Sequence, residues 1–532
     1  MNVQVNQAPA EGPPEGIHSL ADIVRVHSRL TPQRPALAFE GRTTTYEQLD
    51  ARASQVAQGL IALGVRPGDR VAHLGKNTDL YIELLLGAAK AGAVITPVNW
   101  RLAPREFAYI IDDCEAKALF VGPEFVAAVE GLAEPLRVGE IIGMEAPFKG
   151  RSFGAWRDAQ PAHDPQILIK RDSAGVQLYT SGTTGNPKGA VLSHRNLVGM
   201  PQSSRTYVWS RWSADDVSLF AMPCFHIGGT GWAILGLMHG ALNVIAREFD
   251  PTKVLDFIEN WRITKLFMVP AALQVVVRNP KARAVDYSQL KYIMYGASPM
   301  PLALLRECME VFGCGFVQLY GMTETTGSVT ALGPEDHNLA GNPKMSSAGK
   351  ALPGVELAIL NAAGERMPVG TVGEVAVRSM TNMQGYWKLP QETARTIGPD
   401  NWLRTGDAGY MDADGYLFIH DRVKDMIISG GENIYPAEVE NAIYGHPDVS
   451  EVAVIGIPSE KWGEEVKAIV ALKPGAQQDP NSIIAWARER IAAYKVPKSV
   501  DFIAVLPRNP SGKILRRELR APYWQGRQRQ IN

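Results

Sequence analysis

Two periods of hydrophobicity alternate along this chain. In TYEQLDARASQVAQGLIALGV the apolar residues recur at helical spacing, with Thr45 placed as an N-cap and Gly64 near the end, and the segment predicts a helix. RVAHLG then reads as a strand, DLYIELLLGAAKAGA as a helix and VITPVN as a strand. Further on, KALFVG, VQLYTSG, LKYIMYGA and GFVQLYGM are short continuous apolar runs of the kind found in buried strands, separated by helical stretches. Such alternation predicts an α/β fold with largely parallel sheets. After about residue 345 the texture changes. GKALPGVELAILNAAGERMPVGTVGEVAVRSMTNMQGYW and WLRTGDAGYMDADGYLFIHDRVKDMIISGG are rich in Gly and in alternating β-formers, with DADG as a hairpin turn, and predict an antiparallel, barrel-like module.

A third texture follows Gly431. The helix PAEVENAIYGH, strands VSEVAVIGIP and EEVKAIVALK, the helix SIIAWARERIA and a last strand SVDFIAVL form a small α+β unit. The charged DRVKD segment between the two textures is suited to a hinge. The expected division is a polar, disordered tail over residues 1–16, a large domain over 17–423 and a small mobile domain over 424–532.

Four stretches carry candidate chemistry. Tyr179 to Gly189, YTSGTTGNPKG, follows a strand and combines glycines, hydroxyls and a Lys, which together can cradle phosphate oxygens; a flexible surface turn is the alternative. It is not a Walker A loop, because Pro187 precedes Lys188 and Gly189 follows it. GAVLSHRNL reads as another strand before a helix, so the loop is expected to join two strands. QLYGMTET brings Tyr320, Thr323 and Glu324 to the end of a strand; taken alone, Glu324 reads as an exposed loop acid or as a carboxylate for Mg²⁺. Arg404-Thr405-Gly406-Asp407 reads as a tight turn, and its Asp either merely ends the turn or accepts the hydroxyls of a ribose. Pro510-Ser511-Gly512-Lys513 holds a Lys on a loop near the C-terminus, either solvated or facing a phosphate.

Composition narrows the classes. At about 150 residues per domain, 532 residues suggest three or four units, and 45% hydrophobic with 20% charged residues excludes wholesale disorder. With 54 basic against 55 acidic residues, nothing points to nucleic acid. Cys114, Cys224, Cys308 and Cys314 show no zinc spacing and are expected as buried thiols in a reducing compartment. The apolar runs are too short to span a membrane, and the first residues have neither the basic start nor the apolar core of a signal peptide. A cytoplasmic location is the expectation.

In this order the stretches resemble the adenylate-forming superfamily of acyl-CoA synthetases, coumarate-CoA ligases, luciferase and peptide-synthetase adenylation domains. YTSGTTGNPKG is joined by GASP (Gly296–Pro299), YGMTE (Tyr320–Glu324), TGD (Thr405–Asp407), DRVKDMI, SGGENIYP and NPSGKI, and the similarity runs over essentially the whole chain. The resemblance implies ATP, Mg²⁺ and coenzyme A as reactants and cofactors, with formation of an acyl-adenylate and transfer to a thiol. By the same resemblance Thr180, Ser181, Gly182, Thr183, Thr184 and Lys188 hold the β- and γ-phosphates. Gly296, Ala297 and Ser298 line the adenine and acyl wall, Tyr320 and Gly321 lie against the adenine, and Thr323 reaches the α-phosphate. Glu324, with Thr184, ligates Mg²⁺. Asp407 and Arg422 bind the ribose, and Lys424 is the hinge. Gly430 and Gly431 face the pantetheine tunnel, and Lys513 bridges the carboxylate and the α-phosphate, a lysine open to reversible acetylation.

For the acid, the resemblance places the acyl pocket near Phe225-His226-Ile227-Gly228-Gly229, with His226 as an aromatic gate and Gly228 beside it; a core histidine is the alternative. No Asp stands there, which argues against amino acids. The run GTGWAILGLMHGALNVI is apolar, with Trp232 and Met238 reading as core. A medium- or long-chain fatty acid is favoured. An aryl acid of cinnamate or benzoate type, luciferase-like oxygen chemistry and the loading of a carrier protein are the alternatives. Tyr207, Trp209 and Trp212 are a candidate acyl entrance. A homodimer is left open.

Overall fold

In this computed structural model the described residues are 14–180, 187–199, 206–422, 425–430, 432–508 and 514–525, with the backbone alone for 421, 422 and 433. Two large sheets form the body of the protein. The first has nine strands in the order Lys350–Ala351, Gly327–Leu332, Gly315–Met322, Tyr292–Gly296, Lys265–Met268, Val217–Phe220, Leu242–Ile245, Pro35–Phe39 and Arg42–Thr45. The six strands from Gly315–Met322 to Pro35–Phe39 are mutually parallel. Their runs are apolar on both faces, as helix-covered parallel strands must be.

The second sheet has seven strands, ordered Gly385–Tyr386, Lys188–Ser193, Ala174–Thr180, Val94–Pro97, Arg70–Leu74, Ala118–Val121 and Glu140–Gly143. Between the sheets lies a core built on the helices Leu20–Leu30, Tyr46–Ala62 and Asp79–Lys90. The helix Tyr46–Ala62 begins as its sequence predicts: the Thr45 hydroxyl accepts from the Gln48 amide, and Gly64 lies beyond the end at φ 82°. Ala174–Thr180 and Lys188–Ser193 pair antiparallel up to Thr180 opposite Lys188, so the glycine- and hydroxyl-rich segment joins two strands.

The antiparallel module is a four-stranded sheet, Glu356–Leu360, Gly373–Arg378, Leu403–Met411 and Leu417–Arg422, whose hydrogen-bonded path is open rather than closed among the described residues. DADG turns its last hairpin, where the Asp412 amide donates to the Tyr416 carbonyl and Gly415 takes φ 83°. The C-terminal unit has Val449–Ser459 and Gly463–Leu472 at its centre, with Ser499–Phe502 alongside and helices Pro436–Tyr444 and Pro480–Arg488 packed on them. It carries its own core, from Ile427 to Val500.

Residues 1–13 of the expected tail lie outside the described residues; Ile17 is already buried. Cys114, Cys224 and Cys308 are buried, with burial holding the Cys114 thiol up at about 12, while Cys314 is half-buried. No helix among the described residues is long and apolar enough to cross a membrane.

Candidate active site

Parallel strands end at a common edge, and ligands of open α/β sheets sit outside their carboxyl ends. Three chain segments leave the nine-stranded sheet there. The strand Val217–Phe220 continues to His226, the N-cap residue of helix Ile227–Met238. Tyr292–Gly296 runs out into Ala297 and Ser298, and Gly315–Met322 turns into the short 3₁₀ helix Thr323–Thr325. Close backbone approach explains two glycines here. A Cβ on Gly296 would lie 2.1 Å from the Leu319 carbonyl oxygen, and one on Gly321 would lie 1.9 Å from that of Gly327. Ala297 sits in the left-handed region at φ 66°, an uncommon and strained choice for a residue with a Cβ.

Glu324 is 5% exposed, not the exposed loop acid that its sequence context allows. A segment some sixty residues downstream encloses it. The Met383 amide donates to the Glu324 carbonyl at 2.7 Å, and the Tyr386 hydroxyl donates to the carboxylate at 2.8 Å. Tyr386 lies on the edge strand Gly385–Tyr386, which pairs with Val191 and Ala190 of the hairpin, and the Trp387 amide donates to the Gly189 carbonyl. The Lys188 ammonium lies 5.3 Å from the centre of the Tyr386 ring and donates to Glu392 at 2.5 Å. That hydrogen bond holds the Glu392 carboxyl below its ordinary value. Burial and the neighbouring Glu324 carboxylate push the Tyr386 phenol well up, so it stays a donor. Thr180 closes the hairpin, its hydroxyl 3.4 Å from the Lys188 carbonyl.

Among the described residues no Lys or Arg forms an ion pair with Glu324. A buried carboxylate without a cation suits a divalent ion held by one protein carboxylate together with phosphates.

Tyr320 and Asp407 meet across two sheets: the phenol donates to the Asp407 carboxylate at 2.7 Å. Asp407 is buried after the left-handed Gly406, its amide donating to the Thr405 hydroxyl, and its backbone lies opposite Arg422 in the four-stranded sheet. Thr323 is half-buried at the same turn as Glu324.

His226 stands between the two readings of its sequence. Burial lowers its imidazole to about 4, so it is neutral at pH 7, yet its Nε2 has no hydrogen-bond partner. Its ring packs 4.5 Å from Phe225. Gly228 presses on Phe267, 2.9 Å from where a Cβ would stand, and Trp232 and Met238 are buried as expected. Trp209 and Trp212 are also buried, in one cluster with Trp232, whereas Tyr207 is half-buried over them.

Gly430 is exposed at φ 62°, its amide donating to the Trp462 carbonyl. Ser181, Gly182, Thr183, Thr184, Lys424, Gly431 and Lys513 lie outside the described residues, as does the Arg422 side chain. Sequence reasoning missed Tyr386 and Glu392. Neither sits in a distinctive motif, and only the fold brings them to Glu324 and Lys188.

Stacked α/β sheets, a hydroxyl- and glycine-rich hairpin loop, and a buried Glu at the carboxyl edge belong to one class, the adenylate-forming acid–thiol ligases that release AMP. More particularly, the chain belongs to the AMP-binding enzyme family, matching it over residues 24–387 and the AMP-binding enzyme C-terminal domain over residues 438–513. It is 42% identical over 519 residues to a fatty acid–[acyl-carrier-protein] ligase of Streptomyces coeruleorubidus, covering 97% of this chain and 98% of that one. A feruloyl-CoA synthase of an Amycolatopsis species is 39% identical over 93% of this chain and 97% of its own. Among solved structures, the anthranilate CoA ligase AuaEII in complex with anthranoyl-AMP superposes with a TM-score of 0.87 at 29% identity, covering 95% of this chain and 97% of that one.

Proposed function

We propose that this protein is an acyl-CoA synthetase that activates a medium- or long-chain fatty acid. The acid's carboxylate attacks the α-phosphorus of ATP, pyrophosphate leaves, and the acyl-adenylate then gives its acyl group to the thiol of CoA with release of AMP. The observation that carries this reading is the carboxyl edge itself. Glu324, the Gly296–Ser298 turn and His226 follow strands of one parallel sheet at that edge, Tyr320 reaches from the same sheet to Asp407 of the four-stranded one, and Lys188 is brought beside Glu324 through Tyr386.

Each group has work suited to its chemistry. Two anions react, so their charges need screening and no general base is required, because the acid is already ionised. Lys188, with the hydroxyls of Thr180, Ser181, Thr183 and Thr184, binds the β- and γ-phosphates. Asp407 and Arg422 hold the ribose, Tyr320 lies against the base, and Thr323 orients the α-phosphate. Glu324 and Thr184 hold Mg²⁺, which neutralises charge on the phosphate oxygens when bound. Lys513, from the small domain, steadies the attacking carboxylate, and Lys424 is the pivot that replaces it with Gly430 and Gly431 for the thiol step. The apolar wall of helix Ile227–Met238 supports an apolar acid.

A carrier-protein thiol is the second reading of the acceptor, supported by the 42% identity to the Streptomyces ligase. AMP release with Mg-ATP and a panel of fatty, aryl and amino acids tests both, run without acceptor, with CoA and with a phosphopantetheinylated carrier protein. CoA-dependent release on fatty acids is expected. Release dependent only on the carrier moves the assignment to the second reading, and absence of both AMP release and pyrophosphate exchange overturns the function.

A further inference from the structure

Among the described residues eleven buried side-chain polar atoms lack a hydrogen-bond partner, and three of them lie along helix Ile227–Met238: His226 Nε2 at its N-cap, Trp232 Nε1 within it, and Trp209 Nε1 in the cluster that Trp232 joins. Buried donors are normally paired, and an unpaired one invites an explanation. A hydroxyl can rotate away from its fault; an indole N–H is fixed by its ring and can only donate.

The wall begins at the carboxyl edge. His226 caps helix Ile227–Met238, and one turn separates Gly228 from Trp232, so both face Phe267, whose ring centre lies 6.2 Å from that of Trp232. Trp232 packs at 5.3 Å against Trp212, and Trp209 belongs to the same cluster, with Met294 and Val317. Phe267, Met294 and Val317 stand side by side in the sheet register. Trp209 also lines a depression of about 400 Å³ with Tyr207 and Tyr292. Tyr292 is four residues before Gly296 on one strand, so the wall extends roughly 13 Å from the carboxyl edge.

The apolar area of this wall suits the tail of an acid, but its unpaired groups do not suit a plain alkane. Indole donors are matched by acceptors, and His226 offers a neutral nitrogen at the near end. Resting on the acyl-activating function proposed above, we infer that the physiological acid carries a hydrogen-bond acceptor oxygen in its tail, as an oxo, ether or aryl-ether group, which the indole N–H groups of Trp232 and Trp209 recognise. A site built to donate such bonds discriminates against the analogue that lacks the acceptor more strongly than an apolar pocket discriminates by one methylene.

Matched pairs of acids test the inference by ATP–pyrophosphate exchange: dodecanoate against a series of oxododecanoates, and 4-methylcinnamate against 4-methoxycinnamate. The oxygenated member of at least one pair is expected to show a kcat/KM about tenfold or more above its partner. In Trp232→Phe, which keeps a ring but removes the donor, that ratio is expected to fall towards one, and Trp209→Phe provides the second variant should the first not fold. Equal or better use of the plain member in both pairs overturns the inference while leaving the acyl-activating function standing. So does a ratio untouched by either donor deletion. Absence of exchange with every acid instead defeats the function on which the inference rests.

Discussion

Replacing Glu392 by Gln removes the carboxylate that holds the Lys188 ammonium at 2.5 Å while preserving the side chain's shape. Lys188 and Glu392 are 17% and 28% exposed, so the pair is partly screened and falls near the upper end of surface pairs, about 0.2–1 kcal/mol. ATP that takes Lys188 must break this pair. A phosphate oxygen on Lys188 would also lie about 5 Å from Glu392, where like charges cost about 0.8 kcal/mol in a water-like dielectric. Together these amount to about 1–2 kcal/mol against nucleotide binding, so Glu392→Gln is expected to lower the Kd for ATP about 5- to 20-fold. Isothermal titration with ATP measures this directly, and the KM of pyrophosphate exchange follows it. An unchanged or weaker affinity, in a variant that melts with the wild type, refutes the reasoning, since Lys188 would then not be contested by phosphate.

Tyr386→Phe deletes the hydroxyl that fixes the Glu324 carboxylate, and loss of one bond to a charged acceptor, about 1.5 kcal/mol, is expected to weaken divalent-ion binding roughly tenfold; Mn²⁺ titration of the enzyme with a non-hydrolysable ATP analogue, followed by electron paramagnetic resonance, reads it. Gly321→Ala puts a Cβ 1.9 Å from the Gly327 carbonyl oxygen and is expected to destabilise by about 1–3 kcal/mol or more, seen as a lowered urea midpoint, with normal stability counting against the packing. Burial lowers His73 to about 3 and His194, His226 and His239 to about 4, below the ordinary 6.5. The unfolded chain therefore binds more protons between those values, and stability is expected to fall as pH drops from 6.5 to 4, by up to about 1.4 kcal/mol per pH unit for each histidine. Urea midpoints across that range check it; a flat profile contradicts it.

What was legible in the sequence was what local interactions decide. Thr45 and Gly64 bracket their helix because a cap and a left-handed terminus are made within a few residues. The strand runs read correctly because burial on both faces writes itself as continuous apolar sequence. The recognisable motifs placed Tyr320, Glu324 and Asp407 in one neighbourhood, and the structure brings Tyr320 against Asp407. Contacts made across long stretches of chain were not legible. Glu324 reads as a loop acid until Met383 and Tyr386 enclose it, and Lys188 meets a Glu 204 residues away. Trp209 and Trp212, a candidate entrance in the sequence, are buried in one cluster with Trp232, a contact that their sequence does not display.

The apolar wall of helix Ile227–Met238 and the phosphate hairpin are built on different sheets. The helix capped by His226 and carrying Gly228 and Trp232 follows a strand of the nine-stranded sheet, while Lys188 opens a strand of the seven-stranded one. Gly228 and Trp232 face the cluster of the nine-stranded sheet, whereas Ile234, Leu237 and Met238 of the same helix share a core with Ala190, Leu192 and Tyr386, so only changes on the first face spare the hairpin. On the acyl pocket and phosphate site proposed above, acid preference can drift by repacking that face at constant nucleotide chemistry. A designer wishing to retarget the protein has a matching recipe: vary positions 228, 232 and 209 together, and leave the hairpin and Glu324 alone.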